Sequence, residues 1–442
     1  MRLVALALAL IVCGIGIFVL LRQGSDEKPN ILIVMVDTLR ADHLGYSGYE
    51  RDTSPNIDRF AAENRIYRNA FSSSSWTPPS VASLFTSVFP TVHGHMPRPG
   101  GSKFGRNFTK LPESFVTLAE ALQAAGYATA GITANPLVSE KYGMQQGFEQ
   151  YYSPGREKGD RITKRAIKYL SDLRPKDKPF FLYLHYLDPH DPYKPPKPYD
   201  KMFSGPIKRW PYGEAELQII SQYDGEIRFV DKEIGKLFDW LKEQGLYEEM
   251  IIVFVSDHGE QFRERGFLGH GDRLHSEEIH IPLIIKAPGF EGEELEPVSL
   301  VDVYPTLVDL LKLEPSPDFQ GLSLMDQERL KARGGVTTEI FRHYNLKAFT
   351  TAKGQRLILE YDPDKGLRLD SLLGWSKADL FELRSDPLEL KPLLTDAIKE
   401  NPVFDAAQKT YLSILKLTER HSVSEVPENE EMIRELKTLG YL

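Results

Sequence analysis

The sequence predicts an α/β fold built around a parallel or mixed sheet. Three continuous apolar runs, 31–36, 180–184 and 251–255, have the length and residue types of strands buried on both faces. Segments with helical periodicity, such as 115–126 and 226–245, alternate with these runs. That alternation is typical of α/β domains. With 442 residues and 41% hydrophobic content, the chain can bury a large core and is expected to divide into a larger and a smaller domain.

The first residues predict a membrane anchor. The run from Leu3 to Leu21 carries no charge and has roughly the length that an α-helix needs to cross a bilayer. It is longer than the apolar region of a typical cleaved signal, and no small-x-small cleavage site lies near its end. Residues 1–28 are therefore predicted to form an uncleaved transmembrane signal anchor with a short polar tether, and cleavage is the alternative. The flanking Arg2 and Arg22 leave the orientation open.

Charge and cysteine content exclude several functional classes. The net charge is −9, and lysine and arginine are scattered along the chain, so a nucleic-acid partner is not expected. The single cysteine, Cys13, lies inside the apolar run. The rest of the chain can therefore form no disulfide, thiolate metal site or cysteine nucleophile. A cysteine-free domain is compatible with an oxidising compartment.

Acidic residues follow two of the predicted strands. Asp37 comes directly after the first apolar run, and Asp257 and His258 follow the third. Open α/β sheets bind their ligands at the carboxyl ends of the strands. Two carboxylates and an imidazole at such an edge would suit a hard divalent cation. For Asp37 alone, capping of the next turn is an equally good interpretation.

The second apolar run leads into a loop rich in histidine and proline. His185, Asp188 and His190 follow within a few residues, and the prolines prevent a strand or helix from continuing. Histidines at the end of a buried strand are candidates for chemistry, although one of them is expected to serve only as a structural hydrogen-bonding group.

The stretch "SSSSWTPPSVASLFTS", residues 72–87, allows two interpretations. Serine, threonine and proline are ordinary residues at the start of a helix, so the segment could be a loop capped by Ser80 or Ser83. Alternatively, Thr77 is a nucleophile at a helix N-terminus, where the helix dipole and free amides favour an anion.

Together these segments resemble the successive landmarks of the sulfatase family, within the alkaline phosphatase superfamily. The resemblance implies an α/β/α sandwich with a mixed sheet over residues 29–330, and a smaller C-terminal α+β subdomain, with an antiparallel sheet and a helix, over 331–442. Near residue 330 the strand and helix alternation gives way to shorter strand-like pieces, which agrees with that boundary. The landmarks are "NILIVMVDTLRADHLGYSGYERDTSPNIDRFAAENRIYRNAFS", "WTPPSVASLFTSVFPTVHGH", "HYLDPHDPY", "SDHGE", "LGHGDRLHSEEIHIPLIIKAPG", "VSLVDVYPTLVDLL" and "DLFELRSDPLELKPLL".

The chain departs from the family at the nucleophile. The family pattern CxPxR supplies a cysteine or serine that becomes formylglycine, whereas this chain has Thr77, Pro79 and Val81 at the aligned positions. Threonine cannot give that aldehyde, so no formylglycine is expected. An unassisted threonine hydroxyl is a poor nucleophile at neutral pH and would need a metal ion or a base.

The resemblance also implies a metal site. Asp37, Thr77, Asp257 and His258 match the family's metal-ligand positions, with Thr77 as the bridging nucleophile. Where calcium-dependent sulfatases carry two aspartates after the first strand, this chain has Asp37 and Thr38. That composition resembles the threonine-dependent phosphotransferases of the superfamily. It predicts one divalent ion, either Mn²⁺, Mg²⁺, Zn²⁺ or Ca²⁺.

Two further histidines occupy positions where the family grips the anion and protonates the leaving group. These are His190 of "DPHDPY" and His270 of "GHG", which are therefore predicted to be both catalytic and substrate-binding. His185 is a weaker candidate for substrate binding.

The predicted function is a metal-dependent ester hydrolase or transferase that attacks a phosphate monoester, diester or related anionic ester through Thr77. A sulfuric ester hydrolase that works without formylglycine is the first alternative, and a noncatalytic binding protein with the same fold is the second. The relatives with a similar anchor imply a single-pass protein of a bacterial cell membrane, with its catalytic domain on the extracytoplasmic side. A small-molecule, glycan or lipid ester of the envelope is the expected substrate. The sequence gives no indication of oligomeric state.

Overall fold

The computed structural model of the chain describes residues 28–96, 98–99, 106–208, 212–342, 344–361, 375–393 and 401–415, with short pieces at 425–426, 434 and 437–438. The predicted anchor lies outside the described residues. Among the helices that the structure does describe, none is both long enough and apolar enough to span a bilayer.

The described strands are numbered β1 to β19 in chain order. They are β1 (Ile31–Val36), β2 (Arg65–Tyr67), β3 (Ala70–Phe71), β4 (Arg98–Pro99), β5 (Arg106–Thr109), β6 (Ala128–Thr133), β7 (Gln150–Tyr152), β8 (Phe180–Tyr186), β9 (Ile251–Val255), β10 (Gln261–Phe262), β11 (Leu268–Gly269), β12 (Leu283–Lys286), β13 (Glu293–Glu294), β14 (Val298–Ser299), β15 (Gly335–Phe341), β16 (Asn345–Thr351), β17 (Gln355–Tyr361), β18 (Trp375–Glu382) and β19 (Glu425–Val426).

The described α-helices are numbered in the same way. They are α1 (Pro55–Glu63), α2 (Thr77–Thr86), α3 (Pro90–His93), α4 (Leu118–Ala124), α5 (Gly159–Lys168), α6 (Glu214–Glu243), α7 (Ser276–Ile279), α8 (Val303–Leu310), α9 (Gln327–Arg333) and α10 (Pro402–Leu415). Short 3₁₀ turns occur at Ala41–His43, Gly45–Ser47, Glu140–Tyr142, Tyr199–Lys201 and Leu300–Asp302, and a π-helical turn at Tyr169–Leu173.

An eight-stranded mixed sheet forms the centre of the molecule, in the order β13-β2-β12-β9-β1-β8-β6-β7. The central strands β9, β1, β8 and β6 are parallel to their neighbours, whereas β12 runs antiparallel to both β9 and β2. All residues of β1, β8 and β9 are buried. Both faces of the sheet are therefore covered, which explains why these strands are continuous apolar runs in the sequence. The predicted sandwich with a mixed sheet is confirmed.

The C-terminal part forms a second sheet. Strands β15, β16, β17 and β18 make a four-stranded antiparallel sheet, and helix α10 packs against it. This sheet is hydrogen-bonded to the segment that precedes α2. The amide of Glu339 donates to the carbonyl of Ser73 at 2.9 Å, and the hydroxyl of Thr338 donates to the carbonyl of Ser72 at 2.7 Å. The C-terminal sheet thus supports the start of the α2 helix.

Candidate active site

The sheet register brings three predicted site residues to one edge. Met35 of β1 is paired with His185 of β8 on one side and with Val255 of β9 on the other. Asp37 comes two residues after Met35, and Asp257 comes two residues after Val255, so both follow the ends of their parallel strands. One ligand atom from each of Asp37, His185 and Asp257 lies within 4.8 Å of the others. These three side chains form the centre of the site.

Asp37 is held by two neighbours on one of its oxygens. Its Oδ2 accepts hydrogen bonds from Asn135 Nδ2 at 2.6 Å and from His185 Nε2 at 3.0 Å. Burial opposes ionisation of this carboxyl, but the bond from His185 and the electrostatic influence of the neighbouring imidazoles of His190, His185 and His258 outweigh it and lower the pKa to about 2. The second oxygen, Oδ1, is buried and accepts no hydrogen bond from any described residue.

Asp257 faces Asp37 from the next strand. Its Oδ1 accepts from the amides of Thr38 at 3.1 Å and His258 at 2.9 Å. Thr38 has a φ of 54°, a left-handed conformation that is costly for threonine and that accompanies the turn after β1. Burial and the negative charge of Asp37 raise the pKa of Asp257, although His258 and His185 lower it. The two carboxyls are thus close enough for each to disfavour the other's charge.

Helix α2 begins at Thr77, and all of its residues are buried. Trp76 is the N-cap and makes no side-chain capping bond. Ser80 donates instead to the carbonyl of Ser74, and Ser83 contacts His93, so neither serine caps the helix. Proline at the second and third helical positions also removes amides that would otherwise bind an anion. Positive charge at this end must therefore come mainly from other groups.

The Thr77 hydroxyl contacts a histidine. Its Oγ1 lies 3.0 Å from Nε2 of His258. Nδ1 of His258 lies 2.9 Å from the carbonyl of Gly259, which can only accept, so Nδ1 carries the proton and Nε2 the lone pair. With the imidazole neutral, the Thr77 hydroxyl donates to Nε2 of His258, and a hydrogen bond between Thr77 and the Asp257 carboxylate lowers the pKa of Asp257. Nε2 of His258 also lies 3.4 Å from Oδ2 of Asp257, which joins this pair to the carboxylates.

Two more imidazoles border the site. The rings of His270 and His258 have centroids 4.3 Å apart, and those of His270 and His190 are 5.0 Å apart. Nδ1 of His270 lies 2.9 Å from Glu260 Oε1, and Nδ1 of His190 donates to the Asp191 carbonyl at 2.6 Å. Burial lowers the pKa of both imidazoles, and neighbouring positive charges lower that of His270 further. Both are neutral near pH 7 in this state of the protein.

The residues present fit a divalent metal ion. Two buried carboxylates face each other, and the Oδ1 atom of Asp37 lacks a partner in the described structure. Hard oxygen donors with a neighbouring imidazole suit Mn²⁺, Mg²⁺ or Zn²⁺. Two negative carboxylates repel each other strongly when they are buried, and a cation between them would offset that repulsion. The unpaired oxygen of Asp37 is available to such an ion.

Three residues of the site, His185, Asn135 and Glu260, make contacts that the sequence does not predict. His185, predicted to bind substrate, is the imidazole closest to Asp37, whereas His258 contacts Thr77. Asn135 and Glu260 were not assigned a role, although both contact predicted site residues. Asn135 comes two residues after β6, at the same sheet edge as Asp37, and this position after a strand is the feature of the sequence that could have identified it. Glu260 is the last residue of the quoted segment "SDHGE".

The chain matches known proteins over most of its length. Residues 29–313 match the family model described as Sulfatase. The uncharacterized sulfatase YidJ of Escherichia coli is 25% identical over 84% of this chain and 84% of its own length. The multifunctional alkaline phosphatase superfamily protein PehA of Trinickia caryophylli is 25% identical over 86% of this chain and 94% of its own.

A solved structure shares the fold. The phosphonate monoester hydrolase of Agrobacterium radiobacter superposes with a TM-score of 0.68 at 20% identity, covering 91% of this chain and 99% of that protein. Because the family match covers well over half of the chain, the protein belongs to the sulfatase family and is a sulfuric or phosphoric ester hydrolase.

Proposed function

We propose that this protein is a metal-dependent hydrolase or transferase that attacks a phosphate monoester, diester or related anionic ester through Thr77. One observation carries the proposal. The hydroxyl of Thr77 has no capping role and donates to an unprotonated histidine nitrogen beside two buried aspartates. A hydroxyl with a base at 3.0 Å is the arrangement that activates a weak nucleophile.

Asp37 and Asp257 would hold the metal ion, with His185 and His258 at its border. When bound, a divalent ion would supply positive charge that favours both an ionised threonine oxygen and an anionic ester. Asn135 and His185 hold one oxygen of Asp37, which leaves the other oriented for a ligand role.

In the proposed reaction, Thr77 Oγ1 forms a bond to the phosphorus atom as its proton passes to His258 Nε2. The bond between phosphorus and the leaving oxygen breaks, and that oxygen takes a proton from an imidazole. The product of this half is a phosphorylated Thr77 and a free alcohol. Water or a second alcohol then attacks the phosphorus and gives its proton to the imidazole that protonated the first leaving oxygen. The bond between Thr77 Oγ1 and phosphorus breaks, and Oγ1 takes back the proton held by His258 Nε2.

His190 and His270 are the proposed proton donors to the leaving group. His190 must first take up a proton on Nε2, because its Nδ1 proton is donated to the Asp191 carbonyl, whereas Nδ1 of His270 contacts the Glu260 carboxyl. An anionic ester between the two rings would raise their pKa values from the lowered values of the ligand-free site. Substrate binding and acid catalysis are therefore coupled in this proposal.

Phosphorus is favoured over sulfur by the chemistry of threonine. A sulfated threonine lacks the elimination route that lets a formylglycine hydrate release sulfate, so it would be slow to turn over. A sulfuric ester hydrolase remains the second candidate, because relatives of similar length are sulfatases by name. Either ester presents a tetrahedral anion to the same residues.

The test is a parallel assay of the purified protein on aryl phosphate, phosphodiester, phosphonate and sulfate esters. We expect turnover of a phosphorus ester and a mass increase on the peptide containing Thr77 after rapid quenching. Turnover of the sulfate ester alone would favour the second candidate. Turnover with no adduct on Thr77 at any quench time would contradict the nucleophile.

We also propose that the chain is anchored in the bacterial cell membrane with this site on the extracytoplasmic side, where a glycan or lipid ester of the envelope would reach it. The uncharged run from Leu3 to Leu21 supports this. An alkaline phosphatase reporter fused after Leu442 should be active in intact cells, and a reporter active only in the cytoplasm would overturn the orientation.

A further inference from the structure

A cavity of about 140 Å³ opens beside His190. The cavity is lined by Leu187, Asp188 and His190 from the loop after β8, by Arg156, Glu157 and Lys158 from the segment before α5, and by Glu226 of α6. Because His190 belongs to the proposed catalytic group, the cavity is placed to receive the part of a substrate that extends from the ester.

The lining of the cavity includes a cluster of one cation, Lys158, and two buried carboxylates, Asp188 and Glu226. Lys158 Nζ lies 2.8 Å from Asp188 Oδ1 and 2.5 Å from Glu226 Oε1. The carboxyl groups are 1% exposed, while the lysine side chain is 44% exposed. The amide of Gly159 also donates to Asp188, and that of Lys194 to Glu226. The two carboxylates together carry one more negative charge than Lys158 neutralises.

One oxygen of this cluster is unpaired. Oε2 of Glu226 is buried and receives no hydrogen bond from the described residues. A buried carboxylate oxygen without a donor costs free energy, and such atoms in native proteins usually mark a missing ligand, ion or water. Burial and the charge of Asp188 raise the pKa of Glu226 to about 7, although Lys158 lowers it. A bound cation would favour the ionised form.

Two other charged residues, Glu157 and Arg156, line the cavity and have other partners. Glu157 is paired with Arg165 through two hydrogen bonds of 2.9 Å. Arg156 donates to the carbonyls of Asp191 and Thr438, so its positive charge faces no carboxylate within the described residues. This charge is close enough to lower the pKa of His190. The cavity therefore offers a cation near the proposed ester position and a surplus carboxylate at Glu226.

We infer that this cavity is a subsite for a primary ammonium group carried by the substrate, with Glu226 and Asp188 as its acceptors. A substrate of this class is a zwitterion, in which a short carbon chain joins the phosphoryl or sulfuryl anion to the amine. The inference rests on the proposed function only in placing the ester anion beside His190. An ammonium donates the hydrogen bonds that Glu226 Oε2 lacks and balances the surplus charge.

The test compares ligands that differ in a single group. 2-Aminoethylphosphonate and propylphosphonate have nearly the same shape, differ in an ammonium against a methyl group, and contain no ester bond to cleave. Their dissociation constants are measured by calorimetry on the full-length protein in buffer with Mn²⁺. We expect the aminoethyl compound to bind at least about tenfold more tightly, since hydrogen bonds to charged groups are the strong ones. The Glu226→Gln variant should lose that preference.

Controls separate this subsite from general effects. Glu233→Gln alters another buried carboxylate of α6, one that is paired with Lys236 outside the cavity, and should retain the preference. Asp188→Asn should reduce the preference without abolishing it. Equal binding of the two phosphonates by the wild type, or an unchanged preference in Glu226→Gln, would overturn the inference. Equal binding of 2-hydroxyethylphosphonate and the aminoethyl compound would also overturn it, because a neutral donor would then suffice.

This measurement requires no turnover, so it is independent of the nucleophile. A preference that disappears in Glu226→Gln would support the subsite even where Thr77→Ala turned over esters normally. Conversely, if the wild type showed no preference for the ammonium compound, the subsite would be contradicted even if Thr77→Ala were fully inactive.

Discussion

Oγ1 of Thr77 lies 3.0 Å from Nε2 of His258, and the Gly259 carbonyl holds the opposite nitrogen of that ring at 2.9 Å. The carbonyl fixes the tautomer, so the nitrogen that faces Thr77 is the basic one. A threonine at the first position of a helix would ordinarily be explained by helix geometry alone. Here its hydroxyl contacts a base, and the following predictions test what that contact does.

Thr77→Ala should remain folded and lose turnover by several orders of magnitude, because it removes the hydroxyl that contacts Nε2 of His258. Thr77→Ser should retain part of the rate. Thr86→Ala is the matched control, since the Thr86 hydroxyl donates only to the Ala82 carbonyl within the same helix. The measurement is kcat/KM at a temperature where all variants are folded. A Thr77→Ala rate close to that of Thr86→Ala would refute the nucleophile.

Asp37→Asn and Asp257→Asn should each abolish tight binding of a divalent ion, because each removes one of the two buried negative charges that a cation would balance. Metal content of the purified protein, determined by elemental analysis, is the measurement. Asp231→Asn is the control, since this buried aspartate accepts hydrogen bonds from Asn56 and Ile57 far from the site. Unchanged metal in both site variants would rule out the proposed position.

His185→Leu should weaken Mn²⁺ binding by about 10- to 100-fold, the usual cost of losing a group that orients a metal ligand. The reason is the 3.0 Å contact between His185 Nε2 and Asp37 Oδ2. His43→Leu is a close match, because Nδ1 of His43 contacts buried Asp224 at 2.8 Å outside the site. Calorimetric titration with Mn²⁺ would show the difference. Equal affinities in the two variants would mean that His185 does not support the metal site.

Gly259→Ala should destabilise the protein by about 1–3 kcal/mol, the cost of forcing an atom into a packed interior. A Cβ at this position would lie 2.1 Å from the carbonyl oxygen of Glu277, a backbone atom that cannot easily move. Gly213→Ala is the control, because its Cβ would meet only the end of the Glu216 side chain. Chemical denaturation measures both. A Gly259→Ala variant as stable as Gly213→Ala would show that the loop after β9 adapts without cost.

Lys347 makes stability depend on pH. Burial lowers the pKa of this lysine from 10.5 to about 8, against the attraction of Glu339 at 3.6 Å. Between those two values the unfolded chain binds more protons than the folded one, so the free energy of unfolding rises with pH. Relative to Lys347→Met, the wild type should gain up to about 3 kcal/mol from pH 7.5 to 10. Denaturation curves that remain parallel across this range would contradict the lowered pKa.

Much of the site followed from residues that end apolar runs. Asp37, Asp257 and His185 are neighbours because three parallel strands end at one edge, and a sequence reveals such ends without revealing their register. The strand register determines which of these side chains are in contact. It puts His185 level with Met35 and beside Asp37, whereas the sequence indicated His185 only as a weaker candidate for substrate binding.

Contacts between distant segments could not be predicted. Asn135 reaches Asp37 across 98 positions of the chain, and neither residue's local pattern indicates the other. The cluster of Lys158, Asp188 and Glu226 joins a loop, a strand end and a long helix, so it exists only once those elements are packed. Such pairings depend on tertiary packing, which periodicity and turn residues do not indicate.

The bond between Thr338 and Ser72 has a consequence for how the enzyme is made. These residues are 266 positions apart, and Thr338 belongs to a strand that is synthesised long after helix α2. The serine run ahead of Thr77 cannot acquire its lateral support until that strand has left the ribosome. A nascent chain therefore carries Thr77 without this support through most of translation, and the complete site assembles only with the last quarter of the polypeptide.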